Sequence, residues 1–226
     1  MVRLLFEGFR MLKLFYAPNA CSLAPHIALN EAGADYEAVK VDTANGEQRS
    51  EAYLAINPKA RVPSLVTDRG ILTEVPVLLA YIARISPKAE LAPMAWKTPA
   101  DQFDFFEMQS FNSYLASTIH ITFAHIFRPE RYADDDAAKT AMRAKAPKTL
   151  IEQFRLVEER LSDGREWVHG DKYTVSDPYL YVFARWFERD GVGSIAPLPR
   201  IAAHRARMQK REAVLKTLEQ EGLKPV

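Results

Sequence analysis

The sequence predicts an α+β chain in two parts: strands and helices over about the first 85 residues, followed by helices alone. Three observations support this division. Strand-like and helix-like segments alternate as far as Ile85. The stretch 86–99 then holds three prolines without a clear period, which is typical of a linker. Beyond it, no strand-like alternation recurs. We therefore expect domains at 11–85 and 100–226, joined by a linker at 86–99.

The first part follows the order β-α-β-α-β-β-α. Strands are indicated by short apolar or alternating runs, such as 36–41 (YEAVKV). Helices are indicated by apolar residues at helical spacing and by stop signals, such as Gly33 after the first helix. Asp68, Arg69 and Gly70 form the turn of a hairpin. The predicted strands are 12–16, 36–41, 64–67 and 71–73, and the predicted helices are 22–32, 47–56 and 75–85.

The second part is predicted to be helical throughout. An aromatic-rich helix spans 102–127, and an amphipathic helix includes 150–161. The helix 175–189 is apolar on most faces, so we expect it to be buried. Thr174 and Asp177 have the spacing of a capping box at the start of this helix, so we expect them to have a structural role. Two shorter helices are predicted near 198–208 and 211–221.

Composition excludes several classes of function. The 30 Lys and Arg residues nearly balance 29 Asp and Glu residues, so the net charge of +1 gives no reason to expect nucleic acid or an anionic membrane as a partner. The only cysteine, Cys21, excludes an internal disulfide, and no histidine has metal-ligand spacing, so we expect no metal. No apolar stretch reaches the roughly 18–20 residues of a membrane span. Charged residues interrupt the N-terminus where a secretory signal would be apolar, so we expect a soluble, cytoplasmic protein.

Cys21 lies just after the first predicted strand, at the start of the first helix. The helix dipole and the free backbone N–H groups there favour an anion, either the Cys21 thiolate or a thiolate bound beside it. A small, inert, buried cysteine explains the position equally well. The position leaves both interpretations open.

Three further positions have a plain and a functional interpretation. Pro63 is typical of a proline at the start of a strand, although a cis Val62–Pro63 bond would turn the Val62 backbone towards an extended, peptide-like ligand. Glu74 suits the first turn of a helix, or could bind a ligand amine while backbone N–H groups bind a carboxylate. His120 lies on an aromatic helix, where a core or surface role is more common than catalysis. The residues alone favour the plain interpretation of all three.

Four segments, taken in order, resemble a bacterial glutathione S-transferase, and the beta class most closely. They occur in the family's order and at its spacing, and the resemblance extends from residue 11 to residue 223. The segments are 14–29 (LFYAPNACSLAPHIAL), 57–63 (NPKARVP), 72–74 (LTE) and 170–180 (GDKYTVSDPYL). The resemblance implies a thioredoxin-like domain followed by an all-α domain, a homodimer, and glutathione as cosubstrate.

The resemblance also implies roles for residues of the first domain. Cys21 matches the beta-class cysteine that lies against the glutathione sulfur. Val62 and Pro63 match the cis-proline step whose valine backbone pairs with the tripeptide. Glu74 matches the acid that binds the γ-glutamyl amine.

In the helical domain, His120 and Ser117 match positions that line the thiol's side of the site. Tyr16 matches a tyrosine near the thiol that this class does not use as its principal activator. The resemblance implies an apolar pocket for the electrophile between the domains, and we expect Tyr114, His120 and Phe123 to contribute to it.

The chain departs from the family pattern at three positions. Val75 replaces the usual Ser or Gly after the acid, which leaves only a backbone N–H for the glutamyl carboxylate. Gly46 and Ile121 stand where beta-class proteins often carry lysines, although Arg61 or Lys59 could substitute for one of these cations. We expect a divergent member with weaker affinity for glutathione.

The leading expectation is an enzyme that conjugates glutathione to small apolar electrophiles, with the helix N-terminus around Cys21 stabilising the thiolate. Thiol–disulfide exchange through Cys21 and a non-catalytic binding module are the alternatives. The helices 75–85 and 102–127 carry more apolar residues than one buried stripe needs, in agreement with a homodimer. Residues 1–10 lie outside the resemblance, and either a start codon placed too early or packing at the dimer would explain them.

Overall fold

The computed structural model describes residues 11–93, 98–189 and 192–226. The predicted extension at 1–10 and the linker residues 94–97 lie outside the described residues. The first part of the chain, called here the sheet part, contains four strands and three helices in the predicted order. They are β1 (Leu12–Tyr16), α1 (Leu23–Glu31), β2 (Tyr36–Lys40), α2 (Glu51–Leu54), β3 (Ser64–Thr67), β4 (Gly70–Thr73) and α3 (Val75–Ile85).

The four strands form one mixed sheet with the spatial order β2-β1-β3-β4. β1 and β2 are parallel because α1 connects them as a crossover, and β3 and β4 form the predicted antiparallel hairpin. β1 pairs antiparallel with β3, and Leu14 lies opposite Leu65. Both side chains are fully buried. The predicted α+β first part is therefore confirmed.

The second part, called here the helical part, contains six helices among the described residues. They are α4 (Pro99–Tyr114), α5 (His120–Phe127), α6 (Asp136–Arg160), α7 (Ser176–Trp186), α8 (Pro199–Met208) and α9 (Glu212–Gln220). α4 begins at Pro99, at the end of the predicted linker, because proline is well tolerated at the first position of a helix. The predicted helix 102–127 is interrupted by a π-helical turn over Leu115–Ile119, which separates α4 from α5. None of the described helices is both long enough and apolar enough to cross a membrane.

All eleven residues of α7 are buried, as its apolar sequence predicts. Its N-terminus is fixed by the carboxylate of Asp177, which is fully buried. Asp177 Oδ2 accepts hydrogen bonds from the Thr174 N–H (2.7 Å) and the Thr174 hydroxyl (3.2 Å). Asp177 Oδ1 accepts a hydrogen bond from the Val168 N–H (2.9 Å) and lies 3.0 Å from Nε2 of His204. The Thr174 hydroxyl oxygen accepts a hydrogen bond from Ser176 rather than from Asp177. The Asp177 half of the predicted capping box is thus confirmed, and Asp177 also ties two further segments to α7.

Candidate active site

A cavity of about 400 Å³ lies between the sheet part and the helical part. Three segments of the sheet part form one wall: the loop after β1, the loop before β3 and the start of α3. The π turn, α5, α7 and the residues that follow α5 and α7 form the other wall. Seven of the nine predicted site residues line this cavity. The seven are Cys21, Arg61, Val62, Pro63, Glu74, Val75 and His120.

The loop after β1 is held in place from both parts of the chain. Ser22, which is fully buried, exchanges hydrogen bonds with the backbone of Ala17 at 3.2 Å. The Asn19 N–H donates to Glu221 Oε2 (3.0 Å), and the indole N–H of Trp186 donates to the Asn19 carbonyl (3.0 Å). This anchoring fixes the backbone immediately before Cys21.

Cys21 is a buried, neutral thiol. Its sulfur lies 3.6 Å from the carbonyl oxygen of Val62, to which the S–H donates. Burial raises the pKa of the Cys21 thiol to about 12; the Cys21 N–H and the charge of Arg61 act in the opposite direction but are weaker. Of the interpretations left open by the sequence, the raised pKa favours a buried, neutral cysteine over a Cys21 thiolate, and a thiolate bound beside Cys21 stays a prediction. The nearby helix N-terminus adds little, because the N–H groups of Leu23 and Ala24 already bind carbonyl oxygens of the preceding turn.

The Val62–Pro63 peptide bond is cis, so the predicted cis form of this step is confirmed, and its pairing with a ligand stays a prediction. Two buried side chains position the loop that contains it: Asn57 donates to the Arg61 carbonyl at 2.7 Å, and the Tyr53 hydroxyl donates to the same oxygen at 2.8 Å. The Val62 N–H makes no hydrogen bond within the described part of the chain. The loop therefore presents a free backbone donor to the cavity from a fixed position.

Glu74 occupies a backbone conformation that is uncommon for a residue other than glycine, with φ of 72°. Such conformations cost about 1–3 kcal/mol and are concentrated at functional sites. The Glu74 side chain is 65% exposed and forms an ion pair with Lys59, which also donates to the Thr73 hydroxyl at 2.7 Å. The next N–H, that of Val75, is unpaired among the described residues. A carboxylate and a free N–H donor therefore lie side by side at the start of α3.

His120 is the first residue of α5 and follows the π turn directly. Its ring contacts those of Phe183 (5.5 Å between centroids) and Trp186 (5.4 Å). Burial, and then the positive charges of Arg61 and Arg131, lower the pKa of His120 to about 4. The imidazole is therefore neutral at physiological pH, and it can accept or donate a hydrogen bond but adds no positive charge.

Four residues proposed from sequence for the site or its pocket lie elsewhere. Ser117 is exposed and its hydroxyl donates to the Ser113 carbonyl at 2.8 Å on its own helix. Tyr16 is buried against α9, and its hydroxyl donates to the Gln220 carbonyl at 3.4 Å. Tyr114 lines a separate surface groove beside α6, and Phe123 is fully buried in the core. None of the four lines the cavity.

Sequence reasoning missed three arginines of the helical part. Arg128, Arg131 and Arg189 line the same cavity from the helical part. Each follows the end of a helix or lies in a short turn, where a charged residue is usually a solvated surface group. The sequence signal was the Arg-Pro-Glu-Arg segment, whose two arginines flank a tight turn beside the site. No group of three or more His, Cys, Asp or Glu residues among the described residues is arranged to hold a metal ion.

The comparisons with known proteins agree with this geometry. The chain is 34% identical over 215 residues to the glutathione S-transferase GstA of Escherichia coli O157:H7, a match that covers 94% of this chain and 100% of that protein. A structure of a glutathione transferase homologue from Sulfitobacter with bound glutathione is 36% identical, with a TM-score of 0.86, and covers 96% of this chain and 100% of that one. A beta-class glutathione S-transferase from Sphingomonas chungbukensis is 35% identical, with a TM-score of 0.80, and covers 94% of this chain and 100% of that one.

Both halves of the chain also match domain families. Residues 10–84 match the N-terminal domain of glutathione S-transferases, and residues 76–212 match the C-terminal domain. The sheet part is accordingly the thioredoxin-like domain of this fold, and the helices that follow are its all-α domain. Since these matches span nearly the whole chain and agree with the full-length relatives, the chain belongs to the glutathione S-transferase family.

Proposed function

We propose that this chain is a glutathione S-transferase that conjugates the glutathione thiol to small electrophiles. One observation carries the proposal. The free N–H groups of Val62 and Val75, the carboxylate of Glu74 and the thiol of Cys21 face a single cavity whose other wall comes from the helical part. An extended tripeptide needs backbone pairing along its length and opposite charges at its ends, and this wall offers both.

In the proposed complex, glutathione lies along the wall formed by the sheet part. The Val62 backbone pairs with the peptide, and its N–H needs no rearrangement to do so. Glu74 binds the γ-glutamyl ammonium while the Val75 N–H binds the neighbouring carboxylate. Arg61 is the cation available for the second carboxylate, because Lys59 is paired with Glu74. This contact would replace one of the lysine contacts that the family has at the positions of Gly46 and Ile121.

The proposed reaction depends on ionisation of the glutathione thiol. The thiol proton leaves to solvent, the sulfur electron pair forms a bond to the electrophilic carbon, and the leaving group departs with its own electron pair. Cys21 stays protonated because its pKa is raised to about 12, so its S–H can donate a hydrogen bond to the neighbouring thiolate. The positive charge of Arg61, which acts to lower the pKa of the Cys21 thiol, further favours an ionised sulfur beside it.

Thiol–disulfide exchange through Cys21 is less well supported. Exchange requires the thiolate of Cys21, and a pKa of about 12 leaves on the order of one thiol in ten thousand ionised near pH 8. The binding-module alternative rests on the departures at Gly46, Val75 and Ile121. The free Val75 N–H and the cations near the loop before β3 compensate for these departures.

The test is a binding measurement followed by a product assay. Calorimetric titration of the full chain with glutathione should show one site per chain, and incubation with glutathione and 1-chloro-2,4-dinitrobenzene should yield the thioether by mass spectrometry. Failure to bind glutathione at millimolar concentrations would overturn the proposal. Binding without thioether formation across a panel of electrophiles would favour the non-catalytic module instead.

We further propose a cytoplasmic homodimer that acts in detoxification. Large apolar side chains on three helices remain exposed: Val77 on α3, Phe103 on α4 and Leu156 on α6. Soluble monomers rarely leave large apolar patches exposed, and two-fold pairing would cover such residues. The nearly balanced charge of the chain supports small molecules, rather than nucleic acid or a membrane surface, as its partners.

A further inference from the structure

The lining of the cavity carries a strong excess of positive charge. Among the residues that the structure describes, five lysine or arginine side chains line it, against one carboxylate. The chain as a whole has 30 basic and 29 acidic residues, so the excess is local to the site. The five cations are Lys59, Arg61, Arg128, Arg131 and Arg189, and the carboxylate is Glu74.

The five cations belong to two groups on opposite walls. Lys59 and Arg61 lie in the loop before β3, on the wall proposed for glutathione. Arg128, Arg131 and Arg189 belong to the helical part and are called here the arginine rim. Arg128 and Arg131 lie in the turn after α5, and Arg189 lies three residues after the end of α7. The fold therefore brings together arginines from two distant places in the sequence.

The arginine rim has no anionic partner in the described part of the chain. Arg128 donates to the Phe127 carbonyl at 2.9 Å, and the Arg189 guanidinium lies 4.2 Å from the centroid of the Phe127 ring. Arg131 is close enough to Glu130 to be influenced by its charge, but the two form no ion pair. Partial removal from water, together with neighbouring arginines, lowers the pKa of both Arg131 and Arg189. Like charges held together in this way favour binding of an anion.

Glutathione alone does not balance this charge. With His120 neutral, the five cations and Glu74 give the described residues of the lining a net charge of +4. Glutathione with an ionised thiol has two carboxylates, one ammonium and one thiolate, which is a net charge of −2. The remaining excess lies on the wall of the helical part, where the second substrate would bind.

We propose that the second substrate is an aryl electrophile that carries a carboxylate, with the carboxylate bound by the arginine rim. The inference rests on the proposed conjugation reaction and specifies its substrate class. Phe127, Tyr179 and Trp186 line the same wall and offer aromatic surface to the body of the electrophile. Guanidinium groups bind carboxylates through paired N–H donors, which gives the rim both affinity and orientation. This substrate class differs from the apolar electrophile expected from sequence.

The first experiment compares two electrophiles with the same ring and leaving group, the anionic 4-chloro-3,5-dinitrobenzoate and its neutral methyl ester. Each kcat/KM is divided by the rate constant of the uncatalysed reaction with glutathione, because the ester group withdraws electrons more strongly than the carboxylate. We expect the carboxylate to be favoured about tenfold or more, the scale of one charge-assisted hydrogen bond. Turnover of the ester with no preference for the carboxylate would overturn the inference and leave the proposed conjugation intact.

The second experiment uses variants of the arginine rim. Arg131→Gln and Arg189→Gln, singly and together, should raise KM for the benzoate about tenfold, with KM for glutathione and for the ester unchanged. Arg155→Gln is the matched control, because Arg155 is exposed on α6 away from the cavity. A rise in KM for glutathione instead would show that the rim binds the carboxylates of glutathione, which contradicts the inference.

A binding measurement tests the inference even if no conjugation occurs. Calorimetry compares the affinity of the chain for 3,5-dinitrobenzoate, which lacks the leaving group, with its affinity for the methyl ester of the same compound. Tighter binding of the benzoate, lost in the double variant and retained in Arg155→Gln, supports the anion site even where the proposed reaction fails. Equal binding of acid and ester would overturn the anion site whatever the outcome of the activity assay.

Discussion

Replacing Asp177 with alanine should lower the free energy of unfolding by about 4 kcal/mol, because the change leaves several buried hydrogen-bond donors without an acceptor. The Asp177 carboxylate is fully buried and accepts hydrogen bonds from Val168, from Thr174 and from His204. Two of these donors are backbone N–H groups that make no other hydrogen bond in the described part of the chain.

The size of this loss follows from the number of buried N–H groups that lose their acceptor. Each buried donor left without a partner costs about 1–3 kcal/mol, so the Val168 and Thr174 N–H groups together account for about 2–6 kcal/mol. In a chain of this length, 4 kcal/mol corresponds to a fall in Tm of about 8–16 °C. Asp177→Asn keeps one acceptor oxygen but places an amide N–H₂ against a donor, so its loss should be intermediate.

The assay is urea unfolding followed by circular dichroism, with all variants at one protein concentration because dimerisation would shift the apparent stability. Asp171→Ala is the matched control, since Asp171 is exposed in the same loop and should change stability by less than about 0.5 kcal/mol. An Asp177→Ala loss below about 1 kcal/mol would refute the reasoning. So would a variant of normal stability that no longer binds glutathione.

Four further predictions concern the site and the assembly. Glu74→Gln should weaken glutathione binding by about 1–3 kcal/mol in calorimetry, the scale of a charge-assisted hydrogen bond, whereas Glu90→Gln, also a glutamate at positive φ, should not. Cys21 should react slowly with iodoacetamide, at a rate that still rises above pH 9 because the pKa of the thiol is about 12; a plateau near pH 8 would contradict this. The pH profile of kcat/KM should show no step from His120 between pH 6 and pH 8, since the pKa of its imidazole is about 4, and His120→Asn should leave that part of the profile unchanged in shape. Light scattering should give a mass near twice 25.6 kDa, and Phe103→Glu should lower it; a monomeric parent chain would disprove the dimer.

The order of strands and helices was predictable because its signals are local. Alternation in Tyr36–Lys40, the turn before Gly70 and the spacing of Thr174 and Asp177 each depend on a few neighbouring residues. The cis Val62–Pro63 bond was different, because the residues alone favoured an ordinary proline at the start of a strand. Only the resemblance to a known family supported the cis form, and the structure confirms it.

The errors in the candidate site have two physical causes. The π turn at Leu115–Ile119 adds a residue to its turn, so a regular helical projection across it assigns the wrong faces. Ser117 was assigned to the site from the family resemblance and Tyr114 to the expected pocket beside His120, and of the three only His120 lines the cavity. The pKa of Cys21 depends on desolvation by residues far away in the sequence, which no local pattern records.

The anchoring of Asn19 also has a consequence for biosynthesis. Its carboxylate partner, Glu221, is 202 residues further along the chain. On the ribosome, the sheet part emerges long before this partner exists, so the loop before Cys21 cannot reach its final hydrogen bonding until translation has passed residue 221. A chain that ended before Glu221 would lose this restraint. Completion of the site is therefore coupled to synthesis of the helical part.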